Sequence, residues 1–275
     1  MALYYRPDSL KEAVRLVNDA GQTNLPLYYS PRAKNLKDWN ADGLVDLSLL
    51  GLDGITIKKS EVLLGSMLSL EAAAENAELS PLWDGILAKA ISYSSTKAMR
   101  NLATFGGVLM NPNNPPEVAM ALVALGASAV LVHPTGRDTR VPVEEFVKAP
   151  QNCVIRAVAI PTNYRTHCVM ERISRTEKDT PIVAVIARGD MTQRNAYNLH
   201  VVLSGVKEAP YRLTAVENAF AEKPFTLTNI KEAAALSTNE ECEIDDFRGS
   251  AEYRSAMVEV LVRRALTELR KSAQA

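Results

Sequence analysis

Cysteine and histidine are scarce in this chain of 275 residues, three of each. Cys153, Cys168 and Cys242 lie far apart and form no C-x-x-C pair, which excludes a four-cysteine zinc or iron–sulfur site carried by one chain. An odd count also argues against a secreted disulfide framework, so the thiols read as buried or half-buried groups in a reducing compartment. His133, His167 and His200 sit singly at or near the ends of expected strands, where an isolated imidazole is ordinarily structural. Glycine is short as well, 13 residues, below the usual ~7%. Neither sign of charge is in excess: 31 Lys and Arg face 32 Asp and Glu, without the basic surplus of a nucleic-acid binder. The longest uncharged stretch, Val118 to Val132, is shorter than the ~20 residues that span a bilayer, and Gly126 splits it into a helix-like and a strand-like half. Met1 to Asp8 turns polar too quickly for a signal peptide. There is no P-loop, no H-E-x-x-H, no G-x-S-x-G and no G-x-G-x-x-G. These absences describe a soluble, cytoplasmic protein with neither nucleic acid nor membrane as partner and with no metal site.

What is present is an ordinary globular composition, 47% hydrophobic and 23% charged, enough for one large domain or two modest ones. Ser9 and Glu12 form a capping box, and Leu10, Ala13, Val14 and Val17 then trace one helical stripe up to Gly21. Leu25 to Tyr29 and Leu44 to Leu47 read as strands. Ile55 and Ile57, a polar turn, then Val62 and Leu64 give a hairpin. Helices are expected after Ser69, after Ser80-Pro81 and over about Pro116 to Leu125. Strands follow around Val130, Val141 and Val154 to Ile160. Beyond the polar break at Pro161-Thr162-Asn163, the runs Cys168 to Ser174, Ile182 to Ala187 and Leu199 to Leu203 suggest an antiparallel sheet. The chain closes on a helix over 250–272 whose buried side runs through Met257, Leu261, Arg264 or Ala265, and Leu269. Strands and helices mix without strict alternation, which favours an α+β fold. The acidic run Glu240, Glu241, Glu243, Asp245 and Asp246 reads as a solvated loop.

One segment stands apart: Arg100-Asn101-Leu102-Ala103-Thr104-Phe105-Gly106-Gly107. Two adjacent glycines permit positive φ and a close approach of backbone to a ligand. Successive free N–H groups in such a turn form an anion nest able to hold a pyrophosphate, and Thr104 adds a hydroxyl. On residue physics alone, a plain Gly-Gly turn is the other reading.

The wider sequence resembles the flavoprotein (medium) subunit of the molybdenum hydroxylases, the xanthine dehydrogenase and carbon monoxide dehydrogenase family. Pro7-Asp8-Ser9-Leu10-Lys11-Glu12-Ala13 is similar to that family's opening Pro-x-Ser-Leu-x-Glu-Ala. Leu63-Leu64-Gly65-Ser66-Met67 resembles a strand leading into a helix. Met99 to Gly107 resembles the second FAD motif, Arg-Asn-x-x-Thr-Ile-Gly-Gly, with Phe105 in place of Ile. Val141 to Phe146 and Arg248-Gly249-Ser250-Ala251-Glu252-Tyr253-Arg254 add further matches, the last being the most specific. The resemblance implies a two-subdomain FAD-binding fold of the vanillyl-alcohol-oxidase-like type over 1–163, with subdomains at about 1–54 and 55–163. A small antiparallel sheet with helices over 164–275 is implied to follow. It further implies FAD as cofactor, and an iron–sulfur subunit and a molybdopterin subunit as partners. Electrons would run from the iron–sulfur partner through FAD to an acceptor such as NAD.

Departures from the family pattern bear on the cofactor. The first FAD motif, Ala-Gly-Gly-x-x-Leu, corresponds here to Tyr28-Tyr29-Ser30-Pro31-Arg32-Ala33. Both glycines are gone, and Pro31 has no N–H to donate. Arg32 or Lys34 offers a charge in place of backbone donors. The stretch Val108 to Pro116 lacks the Asp usual there, and the family's common Lys near the flavin ring is Arg172. The residues expected to meet the cofactor are therefore Ser30, Arg32, Ala33, Lys34, Asn101, Thr104, Phe105, Gly106, Gly107 and Arg172, with FAD held weakly or lost. No catalytic residue is expected. The alternative reading is a flavin-free homologue that serves as a scaffold or interaction subunit.

Overall fold

The computed structural model describes residues 2–29, 41–113, 115–162, 166–192, 195–221 and 223–272. Three sheets organise the described residues. The first is wholly parallel, with strands β1 (Leu3–Tyr5), β2 (Asn24–Leu27) and β3 (Gly43–Asp46) in the order β1-β3-β2. Helix α1 (Leu10–Val17) forms the crossover from β1 and buries Ala13, Val14, Leu16 and Val17. Ser9 caps it by accepting the Glu12 N–H, as the capping box implies. The short strand β1 carries no strong apolar alternation, and sequence reasoning passed over it.

The second sheet is antiparallel, with β4 (Ile55–Ile57), β5 (Glu61–Gly65), β6 (Ser128–Val132), β7 (Asp138–Pro142) and β8 (Ile155–Pro161) in the order β4-β5-β8-β6-β7. Between β5 and β6 run α2 (Leu70–Glu75), α3 (Ile86–Ser94), α4 (Lys97–Leu102), α5 (Phe105–Met110) and α6 (Pro116–Ala124), and α7 (Val143–Phe146) links β7 toward β8. Helix α6 is buried all round, which is why its sequence is apolar on every side apart from Glu117. Gly126, at φ +68, ends it and turns the chain into β6, as its place in the uncharged stretch suggests.

The third sheet is antiparallel: β9 (Thr166–Ile173), β10 (Val183–Met191), β11 (Ala196–Ser204) and β12 (Tyr211–Arg212), in the order β12-β11-β10-β9. One face packs on the core of the first two sheets through Cys168, Met170, Ala184, Ile186 and Val202. The other face, with Val183, Val185 and Ala187, is covered by α8 (Thr214–Asn218), α9 (Leu227–Ala235) and α10 (Ala251–Ser272). Burial on both faces explains the unbroken apolar run Ile182 to Ala187, where a half-exposed strand would alternate. On α10 the buried side comprises Arg254, Val258, Leu261, Val262, Ala265, Leu266 and Leu269. Of the two candidates on that helix Ala265 faces the core and Arg264 is exposed, while Met257 is only half-buried.

The motif near the start of α10 is structural. Arg254 is 1% exposed. It donates to the Gly249 and Gly205 carbonyls at 3.0 and 2.7 Å, to the Ile182 carbonyl, and to Asp246 at 2.6 Å. One guanidinium thereby ties α10 to two strand ends and to the acidic segment. Asp246 also pairs with Arg248 at 2.6 Å, so that carboxylate is a structural anchor and not merely solvated.

Candidate functional site

Thr104 caps α5. Its Oγ1 accepts the Gly107 N–H at 3.2 Å and donates to the Tyr29 carbonyl at 3.3 Å. The same Tyr29 carbonyl accepts the Thr104 N–H at 2.8 Å. The Phe105 N–H goes to Leu68 O at 3.2 Å and the Gly106 N–H to Ser66 O at 2.7 Å. Four successive backbone donors, Thr104 to Gly107, are therefore already satisfied inside the protein. The sequence pattern suggests a nest of free N–H groups; the fold uses them to join the end of β2 to the turn between β5 and α2. Nor do the glycines serve a positive φ, since both lie in the first turn of a right-handed helix. Gly106 is required by close approach: a Cβ there would stand 2.2 Å from Cδ1 of Tyr28 and 2.9 Å from the Ser66 carbonyl oxygen.

Tyr28 completes this joint. Its side chain is buried, 7% exposed. Its hydroxyl accepts the Ile155 N–H at 2.6 Å and donates to the Cys153 carbonyl at 3.2 Å. Burial raises the phenol pKa far above its ordinary value of 10.0, so the hydroxyl stays protonated and keeps donating. The ring thus bridges β2, the Gly106 turn and the start of β8.

The contacts of Arg172 are with other segments. The side chain projects from β9, with its guanidinium 3.1 Å from Glu117 in the first turn of α6 and 4.8 Å from the centre of the Tyr93 ring. It also donates to the Glu177 and Asp179 carbonyls. Glu117 is 1% exposed and carries the only charge in its helix. An acid in an otherwise apolar helix is the sequence signal for a buried ion pair, and sequence reasoning did not use it. Asn101 is exposed at the C-terminal end of α4. Beside it Arg100 pairs with Glu71 at 2.6 Å and donates to the Ser95 carbonyl at 2.6 Å. The Arg100 hydrogen bond holds the Glu71 carboxyl below its ordinary value. Ser30, Arg32, Ala33 and Lys34 lie outside the described residues. Among the described residues, no three His, Cys, Asp or Glu side chains gather as a metal site.

The model of the FAD binding domain in molybdopterin dehydrogenase matches residues 1–163. The chain belongs to that family. The cofactor of that family is FAD. The model of the CO dehydrogenase flavoprotein C-terminal domain matches residues 169–269. Among characterised relatives, the glyceraldehyde dehydrogenase medium chain of Sulfolobus acidocaldarius is 22% identical, covering 97% of each chain. The carbon monoxide dehydrogenase medium chain of Hydrogenophaga pseudoflava is 27% identical, over 96% of this chain and 95% of the relative. In fold, the chain superposes on quinoline 2-oxidoreductase from Pseudomonas putida 86 with a TM-score of 0.86 at 20% identity, covering 100% and 99% of the two chains. A Cu,Mo-CO dehydrogenase chain gives 0.85 at 22% identity, with 98% of each covered.

For a member of this FAD-binding family, the described residues fit the cofactor in placement and not in their backbone donors. The family's two motif segments adjoin, because Tyr29, near the start of the first, holds Thr104 of the second. Tyr29 and Leu102 are 45% and 63% exposed and offer apolar surface next to this junction. The N–H groups of Thr104 to Gly107, by contrast, have protein acceptors already. Any phosphate donors must come from other groups.

Proposed function

We propose that the chain is the flavoprotein subunit of a molybdopterin-dependent dehydrogenase or hydroxylase complex. In this reading it receives electrons from an iron–sulfur partner and passes them through FAD to an acceptor such as NAD, with a molybdopterin partner oxidising the substrate. The carrying observation is coverage: the chain spans both matched domains and nearly the full length of medium chains from such enzymes. When bound, FAD supplies the redox chemistry. This chain's part would be to bind and orient it, and the residues that would hold it are Asn101, Thr104, Phe105, Gly106 and Gly107, with Arg172 as a fixed cation. Ser30, Arg32, Ala33 and Lys34 contribute from the segment after Tyr29. We assign 1–163 to the FAD-binding unit, divided at about 54, and 164–275 to the C-terminal unit. We place the complex in the cytoplasm.

A second reading, a flavin-free subunit that scaffolds its partners, is favoured by one observation: the spent donors of Thr104 to Gly107. The two separate on the absorbance, between about 350 and 500 nm, of the complex purified from its native source. The flavoprotein reading expects a flavin spectrum that bleaches on reduction. A colourless chain that still co-purifies with its partner subunits would replace it with the scaffold reading.

A further inference from the structure

We propose that Tyr28 closes the 104–107 turn and converts it from a cofactor cradle into a structural joint, so that this chain holds a flavin dinucleotide loosely. The inference rests on the family's use of FAD. Three observations carry it. First, the Tyr28 ring lies against Gly106, within 2.2 Å of where any Cβ would be. That face of the glycine is filled by protein and is closed to a ligand. Second, the ring cannot readily swing away. Its hydroxyl is bonded on both sides to β8 backbone, to Ile155 N–H and the Cys153 carbonyl, and leaving would strand a buried N–H. Third, the next residue, Tyr29, uses its carbonyl to accept both the Thr104 N–H and the Thr104 hydroxyl. Tyr28 therefore fixes the strand end that consumes two of the donors a pyrophosphate would use, while Ser66 and Leu68 carbonyls consume two more.

A diphosphate is recognised by several converging donors, and each charge-assisted hydrogen bond withheld weakens binding by about tenfold or more. Replacing Tyr28 by a small residue vacates the Gly106 face and loosens the Tyr29 carbonyl. The cost is a cavity and an orphaned Ile155 N–H. Affinity for FAD and stability of the fold are then set against each other at one position, which a merely structural tyrosine would not show.

The test uses the full chain, wild type, Tyr28→Ala and Tyr28→Phe, titrated with FAD by calorimetry. Amide hydrogen exchange over 104–107 is followed with and without FAD, and each variant is melted. The expected result is wild-type binding in the micromolar range or weaker, with no added protection of these amides by FAD. Tyr28→Ala should bind at least tenfold more tightly while melting at lower temperature, and Tyr28→Phe, which keeps the ring, should bind like wild type. Nanomolar wild-type binding would overturn the proposal. So would new protection of Thr104 to Gly107 by FAD in the wild-type chain, a readout that stands even where Tyr28→Ala fails to fold. Failure of all three proteins to bind FAD would overturn it too. A wild-type complex free of flavin together with a Tyr28→Ala chain that binds it would uphold the proposal and reject the flavoprotein reading instead.

Discussion

The guanidinium of Arg172 and the carboxylate of Glu117 meet at 3.1 Å with the two side chains 10% and 1% exposed. The pair links β9 in the third sheet to α6 in the core of the first two. Removing one partner of a buried pair leaves an uncompensated charge and typically costs ~3–5 kcal/mol. Glu117→Ala is expected to lose that much stability in urea denaturation, and Glu117→Gln less, since the amide still accepts. A Glu117→Ala loss under about 0.5 kcal/mol would show the pair to be energetically idle.

Leu261 is fully buried in the middle of α10, among the residues packed on Val183 and Val185. Leu261→Ala should cost ~2–5 kcal/mol by lost transfer energy and the cavity left behind. Arg264→Ala on the exposed side of the same helix should stay within about 0.5 kcal/mol. Equal effects at the two positions would mean that the helix faces the sheet differently.

Burial pushes the Asp246 carboxyl up, but the side-chain and backbone donors of Arg248, with Arg254 beyond them, outweigh it and hold the group at about 2, against an ordinary 3.8. A depressed folded-state pKa contributes stability that is present above the unfolded value and is lost as pH falls. The loss should therefore run from about pH 4 down to about pH 2. Melting temperature followed over that window should fall more steeply in the wild type than in Asp246→Asn. Parallel curves would show that the acid sensitivity has another source.

Trp83, Asp84 and Gly85 follow one another in the left-handed region, with φ of 54, 55 and 70. Only the third is a glycine, and the strain is met by contacts to the end of β8 and to β9. The Trp83 indole N–H donates to the Pro161 carbonyl at 2.9 Å. Asp84 Oδ2 accepts the Cys168 N–H at 3.2 Å and stands 3.0 Å from His167 Nδ1. Asparagine tolerates this backbone and keeps an acceptor oxygen, while alanine does neither. Asp84→Asn should be nearly neutral, and Asp84→Ala should cost ~1–3 kcal/mol in the same denaturation assay. Equal losses for the two would locate the effect in charge and not in backbone.

Local pattern made several elements legible before any fold was known. The Ser9 cap, the hairpin of β4 and β5, the change from α6 to β6 at Gly126 and the helix over 251–272 all follow from periodicity, capping and punctuation within a short window. The Gly-Gly segment was legible as a place where backbone approaches something closely. What approaches it was not, because Tyr28 lies far away in the sequence and its ring reaches Gly106 only once β2 and the β5–α2 turn are side by side. The Glu117–Arg172 pair and the fourfold anchoring of Arg254 are hidden for the same reason.

The sequence by itself determined the family and the identity of the motif segments, since these rest on residue types at fixed spacing. Only the tertiary structure decided which groups in those segments remain available. A backbone N–H donates well to one acceptor at a time. Whether Thr104 to Gly107 offer donors to a ligand or spend them on Tyr29, Leu68, Ser66 and their own cap depends on which carbonyls the fold brings within reach.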